Sequence, residues 1–320
     1  MRLIRFMPGV WERSECRWRP PAVLATMIPI PMNFRDLEYL VAVAEHGHFG
    51  QAAKACHVSQ STLSLQLQKL EADLGVQLVE RTNRRVVVTH TGLAFVSRAR
   101  GILRARQEML DEVAIEAGQM PREITLGMIP TIAPYRLGAV LSAMKQACPE
   151  TAVRVVEDVT QALEKGVAQG DLDAAIIATP TVDSLLEEVV LMDDELLLAV
   201  PAGHSLAASK RRVVPGRMSG DKLLLLKDGH CLRDQALDFC TAHGGGGAHE
   251  SIATSIETLI ALIRHGAGVT LMPKMAIEER PHVEGVMFLK LDPRPVRTIR
   301  LITRKTSRLG RVLAQVLMGS

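Results

Sequence analysis

The sequence predicts a multidomain chain: an all-α winged helix-turn-helix module, a linker helix, and an α/β domain of two subdomains. Three observations predict it. Apolar residues at helical spacing break into three short segments between Phe34 and Leu74, a hairpin with an arginine-rich tip follows, and beyond Pro121 β-branched runs alternate with helical ones. With 320 residues, 47% of them hydrophobic, the chain can bury the cores of two or three domains.

Residues 1–31 carry Trp11, Trp18, Pro20, Pro21, Pro29 and Pro31 among arginines, with no amphipathic period and no apolar core of a signal peptide. We read them as an extension, either a disordered basic arm or residues ahead of a natural start at Met32. Their five arginines against two acids account for the whole net charge of +3, so that charge alone does not argue for nucleic acid. The local distribution does: between Arg81 and Gln107 stand seven arginines and neither Asp nor Glu. Five scattered cysteines suit a reducing compartment, and no apolar run approaches the roughly 20 residues of a membrane helix. A soluble cytoplasmic protein with no membrane partner is expected.

In the amino-terminal module (32–90), Phe34, Leu37, Leu40, Val41 and Ala44 trace one helical face that stops at His46-Gly47-His48. Phe49, Ala52, Ala53 and Cys56 form a second, shorter face whose small residues permit close approach. Ser59 suits the N-cap of a third helix over 60–74, with Leu63, Leu67, Leu70 and Leu74 turned inward. Its polar start, Ser59, Gln60, Ser61, Thr62, Ser64 and Gln66, suits base edges and phosphates, as a recognition helix requires. Gly75 ends it, and residues 77–89 read as a hairpin wing. Arg81, Arg84 and Arg85 there reach phosphates or a narrow minor groove; a solvated charged turn is the plainer reading.

Residues 91–120 form the linker. A helix over 91–118 places Val96, Leu103, Leu110 and Ala117 at sevenfold spacing beside Phe95, Ile102 and Met109, which reads as a dimer seam. Burial against its own domain is the alternative. In the domain over 121–320, strands are predicted at 124–128, 152–157, 174–178 and 195–200, with helices around 137–147 and 161–169. Similar units recur at 222–226, 269–272 and 299–303, a pattern compatible with two subdomains joined by crossing strands.

Cys231 and Cys240 stand nine residues apart beside His230 and Arg233. On a helix their Cα atoms would lie about 13 Å apart, whereas a disulfide needs them within roughly 7 Å. Pairing them would unwind that helix, so oxidation would change shape, as in a thiol switch. The plainer readings make Cys240 a small buried hydrophobe, Thr131 and Thr160 helix caps, His230 a loop residue and Asp234 a first-turn carboxylate. Cys16, Cys56 and Cys148 read as inert thiols.

Phe34-Arg-Asp-Leu-Glu-Tyr-Leu-Val-Ala-Val-Ala-Glu45, Ala52-Ala-Lys-Ala55, Val58-Ser-Gln-Ser-Thr-Leu-Ser-Leu-Gln-Leu-Gln-Lys-Leu-Glu71 and Leu78-Val-Glu-Arg81 resemble the winged helix-turn-helix of LysR-type transcriptional regulators over 32–91. The resemblance implies promoter DNA and RNA polymerase as partners, and a linker helix that pairs two subunits in a dimer or tetramer. It also implies a periplasmic-binding-protein-like regulatory domain whose second crossing falls near Arg297. The family default is a small organic effector in the interdomain cleft. Lys227-Asp-Gly-His-Cys-Leu-Arg-Asp-Gln-Ala-Leu-Asp-Phe-Cys240, Ile129-Pro-Thr-Ile-Ala-Pro-Tyr135 and Glu157-Asp-Val-Thr160 are instead similar to the site of the family's peroxide-sensing members.

That likeness implies a regulator of oxidative-stress genes. Cys231 is then the peroxidatic thiol, activated by a helix N-terminus, His230 and Arg233, and Cys240 resolves its sulfenic acid. Thr131, Thr160, His230 and Asp234 orient hydrogen peroxide while Arg297 stabilises the departing hydroxide. A cellular thiol reductant resets the switch, and no cofactor or metal is expected. A thiol peroxidase is the reading from another class; the DNA-reading module and the lack of Cys-x-x-Cys argue against it. Relative to the family, the chain is expected to stop short of the usual final helical tail.

Overall fold

The computed structural model describes residues 32–81, 86–209, 211–245, 248–278 and 283–318. The extension 1–31, Arg84 and Arg85 lie outside the described residues, as does the side chain of Arg81. The chain divides into two units that part after Leu103.

In the first unit, α1 (Phe34–His46) begins at a capping box in which Asn33 and Asp36 bond each other's backbone, and it stops at Gly47, whose φ of 59° favours glycine. α2 (Phe49–Ala55) follows, and α3 (Gln60–Leu74) starts where the Ser59 side chain accepts a hydrogen bond from the Thr62 backbone N–H. Leu40, Val43, Leu63, Leu67 and Leu70 share one core with Ala52 and Ala53. Buried Asp36 also accepts a bond from Gln66 Nε2 at 2.9 Å, tying α1 to α3, so the amide of half-buried Gln66 is engaged within the module. The wing pairs β1 (Val79–Arg81) with β2 (Val86–Val88), antiparallel. α4 (His90–Glu116) then starts so close to the wing that a Cβ at Gly92 would stand 2.1 Å from the Leu78 carbonyl oxygen.

The second unit opens with β3 (Glu123–Met128), α5 (Ala133–Ala147), β4 (Ala152–Glu157), α6 (Thr160–Gln169) and β5 (Ala174–Ile177). β3 lies between β4 and β5, parallel to both. The long β6 (Leu186–Pro201) then crosses to a second half made of β7 (Leu223–Leu226), α7 (Cys231–Ala242), β8 (His249–Ala253), α8 (Ile256–Arg264), β9 (Thr270–Pro273), α9 (Lys274–Glu278) and β10 (Val286–Leu289). β11 (Val296–Arg304) returns, and α10 (Leu309–Met318) packs on the first half. The sheet order is β10-β6-β11-β5-β3-β4, with β9 also paired to β6, so β6 and β11 are the two crossing strands.

The second crossing thus falls at Arg297, as the family resemblance implied. Sequence reading placed β3, β4 and β5 to within a residue, but gave only residues 195–200 of the longer β6 and omitted β8, β10, α8, α9 and α10. The carboxyl-terminal part of α4 belongs to this unit, where Arg304 Nε lies 2.6 Å from Glu108 and Arg104 Nη1 lies 2.9 Å from Asp171.

The sevenfold seam on α4 divides. Val96 is buried in the core of the first unit, whereas Ile102, Met109, Leu110 and Val113 are exposed, so the exposed apolar stripe starts later than its spacing predicts.

Candidate functional site

The site is built where three chain segments meet. β3 delivers Ile129, Pro130 and Thr131, the start of α6 delivers Val159 and Thr160, and β7 leads through Gly229 to His230 and Cys231; together they line one small cavity. Gly229 turns the chain with a φ of 94°, a conformation that side-chain-bearing residues rarely adopt. Cys231 is the first residue of α7, and His230 precedes it without capping the helix through its side chain. Both cysteines are free thiols, Cys231 9% exposed and Cys240 1%.

Arg297 closes the site from β11. Its Nε donates to Asp194 Oδ2 at 2.9 Å, Nη1 to Thr131 Oγ1 at 2.9 Å and Nη2 to the Thr131 carbonyl at 3.0 Å, with every one of these groups buried. Thr131 is therefore no helix cap: its hydroxyl accepts from a buried cation. Thr160 is already inside α6 and caps nothing. Its Oγ1 is buried without a partner of good hydrogen-bond geometry, yet it lies close enough to the Cys231 sulfur to favour the thiolate.

Burial pushes the Cys231 thiol above its ordinary range, while Arg297 and then Thr160 and backbone N–H groups pull it back down. The expected activation therefore needs correcting. His230 is itself held toward its neutral form by burial, which makes it a poor cation at neutral pH. Arg233 bonds outward, with Nε 3.0 Å from Asp228 and Nη1 2.6 Å from Asp234. The charge that favours the thiolate is that of Arg297. Asp234 is also not brought to the cavity: its carboxylate is 62% exposed and drawn to Arg233, which leaves the first-turn reading as the geometric one.

Two residues at the site were missed in the sequence. Asp194 anchors Arg297, and Gln235 lies one helical turn beyond Cys231. Gln235 Nε2 donates to the Ala178 carbonyl at 2.7 Å, while its Oε1 is buried with no partner. The i to i+4 spacing was a usable signal for Gln235; none existed for Asp194. Cys240 sits in the apolar core, where burial pushes its thiol up to about 11. Among the described residues no cluster of His, Cys, Asp and Glu is arranged to hold a metal ion. No helix is long and apolar enough to cross a membrane, again among the described residues.

On the recognition helix α3, Gln60, Ser61 and Thr62 are exposed and Ser64 is half-buried. Ser59 is engaged as the cap, with its Oγ 2.7 Å from Thr62 Oγ1 and 2.9 Å from Ser61 Oγ. Of the three wing arginines only the backbone of Arg81, in β1, is described.

Residues 34–93 match the bacterial regulatory helix-turn-helix proteins of the lysR family, and residues 117–318 match the LysR substrate binding domain. The chain belongs to the LysR family of bacterial helix-turn-helix regulators. It is 43% identical over 280 residues to the hydrogen peroxide-inducible genes activator of Dickeya chrysanthemi, covering 87% of this chain and 91% of that one. Among solved structures, it is similar to a full-length Cys-to-Asp variant of OxyR from Pseudomonas aeruginosa, with a TM-score of 0.71 and 29% identity, over 89% of this chain and 94% of that one. A hydrogen peroxide-bound OxyR mutant of Corynebacterium glutamicum is similar at a TM-score of 0.60 and 32% identity, over 90% and 93%.

Proposed function

We propose that this regulator senses hydrogen peroxide through Cys231 and Cys240 and controls oxidative-stress genes from the cytoplasm. The observation that carries the reading is the placement of Cys231 at the head of α7, within the field of a buried arginine that is itself held on Thr131. A thiolate at Cys231 attacks one peroxide oxygen, the O–O bond breaks, and hydroxide departs toward the Arg297 guanidinium, leaving a sulfenic acid. Thr131, Thr160 and His230 line the cavity and supply polar groups to orient the peroxide; Asp234 joins them only if its bond to Arg233 opens. The Cys240 sulfur then displaces water from the sulfenic acid to form the disulfide, and a cellular dithiol, or two monothiols in turn, supplies the two electrons and two protons that restore both thiols and is itself oxidised to a disulfide.

The relative from Dickeya chrysanthemi and the peroxide-bound OxyR support this reading by name. On the DNA side, Gln60, Ser61, Thr62 and Ser64 read base edges, while Ser59 fixes the helix start. Arg81, Arg84 and Arg85 hold phosphates, and subunits pair along the exposed stripe of α4 to present two reading heads to promoter DNA and RNA polymerase. A thiol peroxidase would use the same sulfur but turn over catalytically; a sensor consumes peroxide stoichiometrically unless reductant recycles it.

Mass spectrometry of the peroxide-treated full chain tests site, pairing and stoichiometry together. A single bridge from Cys231 to Cys240 is expected. Oxidation that joins Cys56 or Cys148, or that leaves Cys231 a free thiol, would overturn the proposal.

A further inference from the structure

The Arg297 guanidinium is gripped on two edges. Thr131 takes both terminal nitrogens through its hydroxyl and its carbonyl, and Asp194 takes Nε. Asp194 sits on β6 directly opposite Arg297 on β11, at the second crossing of the two strands. Its other carboxylate oxygen accepts the Met275 backbone N–H of α9 at 3.1 Å, so both oxygens are committed to fixed donors. Asp194 and Arg297 form a fully buried ion pair, 2% and 0% exposed at their side chains. Nothing in the expected peroxide chemistry assigns a part to this carboxylate.

A buried carboxylate bonded to a guanidinium has two consequences. It fixes the direction in which the remaining N–H bonds point, and it cancels part of the field that the cation exerts on its other neighbours. The neighbour here is Cys231, whose thiolate is favoured by Arg297 more than by any other group.

We propose that Asp194 is a positioning residue for the sensing thiol, which aims Arg297 at the site of the departing hydroxide and holds down its field at Cys231. The inference rests on the reading of Cys231 as the reacting thiol. Orientation and charge are separable, because alkylation needs only a thiolate whereas peroxide cleavage also needs a correctly aimed cation. Asp194→Asn removes the opposing charge and leaves Arg297 unbalanced. Asp194→Glu keeps the charge but lengthens the arm by one methylene, which shifts the guanidinium.

The test is the pH profile of iodoacetamide labelling at Cys231 in the full reduced chain, beside the rate of peroxide oxidation. For Asp194→Asn the labelling midpoint should fall by about one unit, giving about tenfold more thiolate near neutral pH, and the peroxide rate should rise by less than the labelling rate. For Asp194→Glu the midpoint should stay near wild type while the ratio of peroxide rate to labelling rate falls. An unchanged or raised midpoint in folded Asp194→Asn, or wild-type rates in Asp194→Glu, would overturn the proposal.

Loss of one partner from a buried pair can prevent folding, so the cycle is closed with Arg297→Gln. In that background, which lacks the cation, Asp194→Asn should leave the midpoint unmoved; a shift that persists there would also overturn the proposal. Failure of peroxide to oxidise wild-type Cys231 would instead remove the sensing reading and leave the labelling result standing.

Discussion

Cys231 and Cys240 lie on a single unbroken helix, the first at its head beside a cation and the second in an apolar core, both as free thiols. Nine residues of helix separate their Cα atoms by about 13 Å, and a disulfide requires roughly 7 Å or less. The bridge and this form of α7 exclude each other. If oxidation pairs the two, Cys240 must leave the core or the helix between them must unwind.

The first consequence is a change in protection. Oxidised protein should be cut faster than reduced protein between Leu232 and His249, a span that ends in the glycines 244–247. Identical limited-proteolysis patterns before and after peroxide would rule out this rearrangement.

The two thiols should also fail differently. Cys231→Ser should bind DNA and ignore peroxide, since a hydroxyl is no comparable nucleophile. Cys240→Ser should react and then stall as a sulfenic acid or a mixed disulfide. Stopped-flow oxidation of both variants decides this, and equal loss of reactivity would mean that the roles are not divided.

Acid–base behaviour follows from burial. With its thiol raised, Cys231 should oxidise faster as pH climbs through the neutral range, because the thiolate fraction is still increasing there. Cys240 supplies a stability signature. Its folded-state pKa of about 11 lies above the ordinary 9.0, so its contribution to folding is complete below pH 9 and is lost as pH rises through about 11. Under reducing conditions, Cys240→Ala should flatten the alkaline fall of Tm in that window. An equally steep fall in the variant would assign the effect to other groups.

On DNA, loss of Arg84 or Arg85 should lower the salt slope by about one unit and leave sequence preference intact. Substitutions at Gln60, Ser61 or Thr62, which are exposed on α3, should change the preferred bases. Binding titrations at several salt concentrations check both, and a reversed pattern would move the reading head from α3 to the wing.

Much of this architecture was legible because its signals are local. Ser59 and Gly75 bound α3 because a cap side chain and a left-handed glycine act on backbone groups only a few residues away. The β-branched runs of β3 and β4 and the pairing of two cysteines in one short segment are of the same kind. They identified the helix-turn-helix, the first half of the α/β domain and the thiol segment.

What surrounds Cys231 was decided only in three dimensions. Arg233, two residues away, is the nearest activating cation in the sequence, yet it bonds outward to Asp228 and Asp234. Arg297, 66 residues away, takes that place because β11 crosses back beside β6, where Asp194 orients it. Val96 likewise shares a heptad position with Leu110 but not its surroundings, being in the core of the first unit while Leu110 is exposed. Helix and turn signals depend on separation along the chain, so the sequence determined the elements and their order. Fields and hydrogen bonds depend on separation in space, so only the tertiary structure decided which charge faces the thiol.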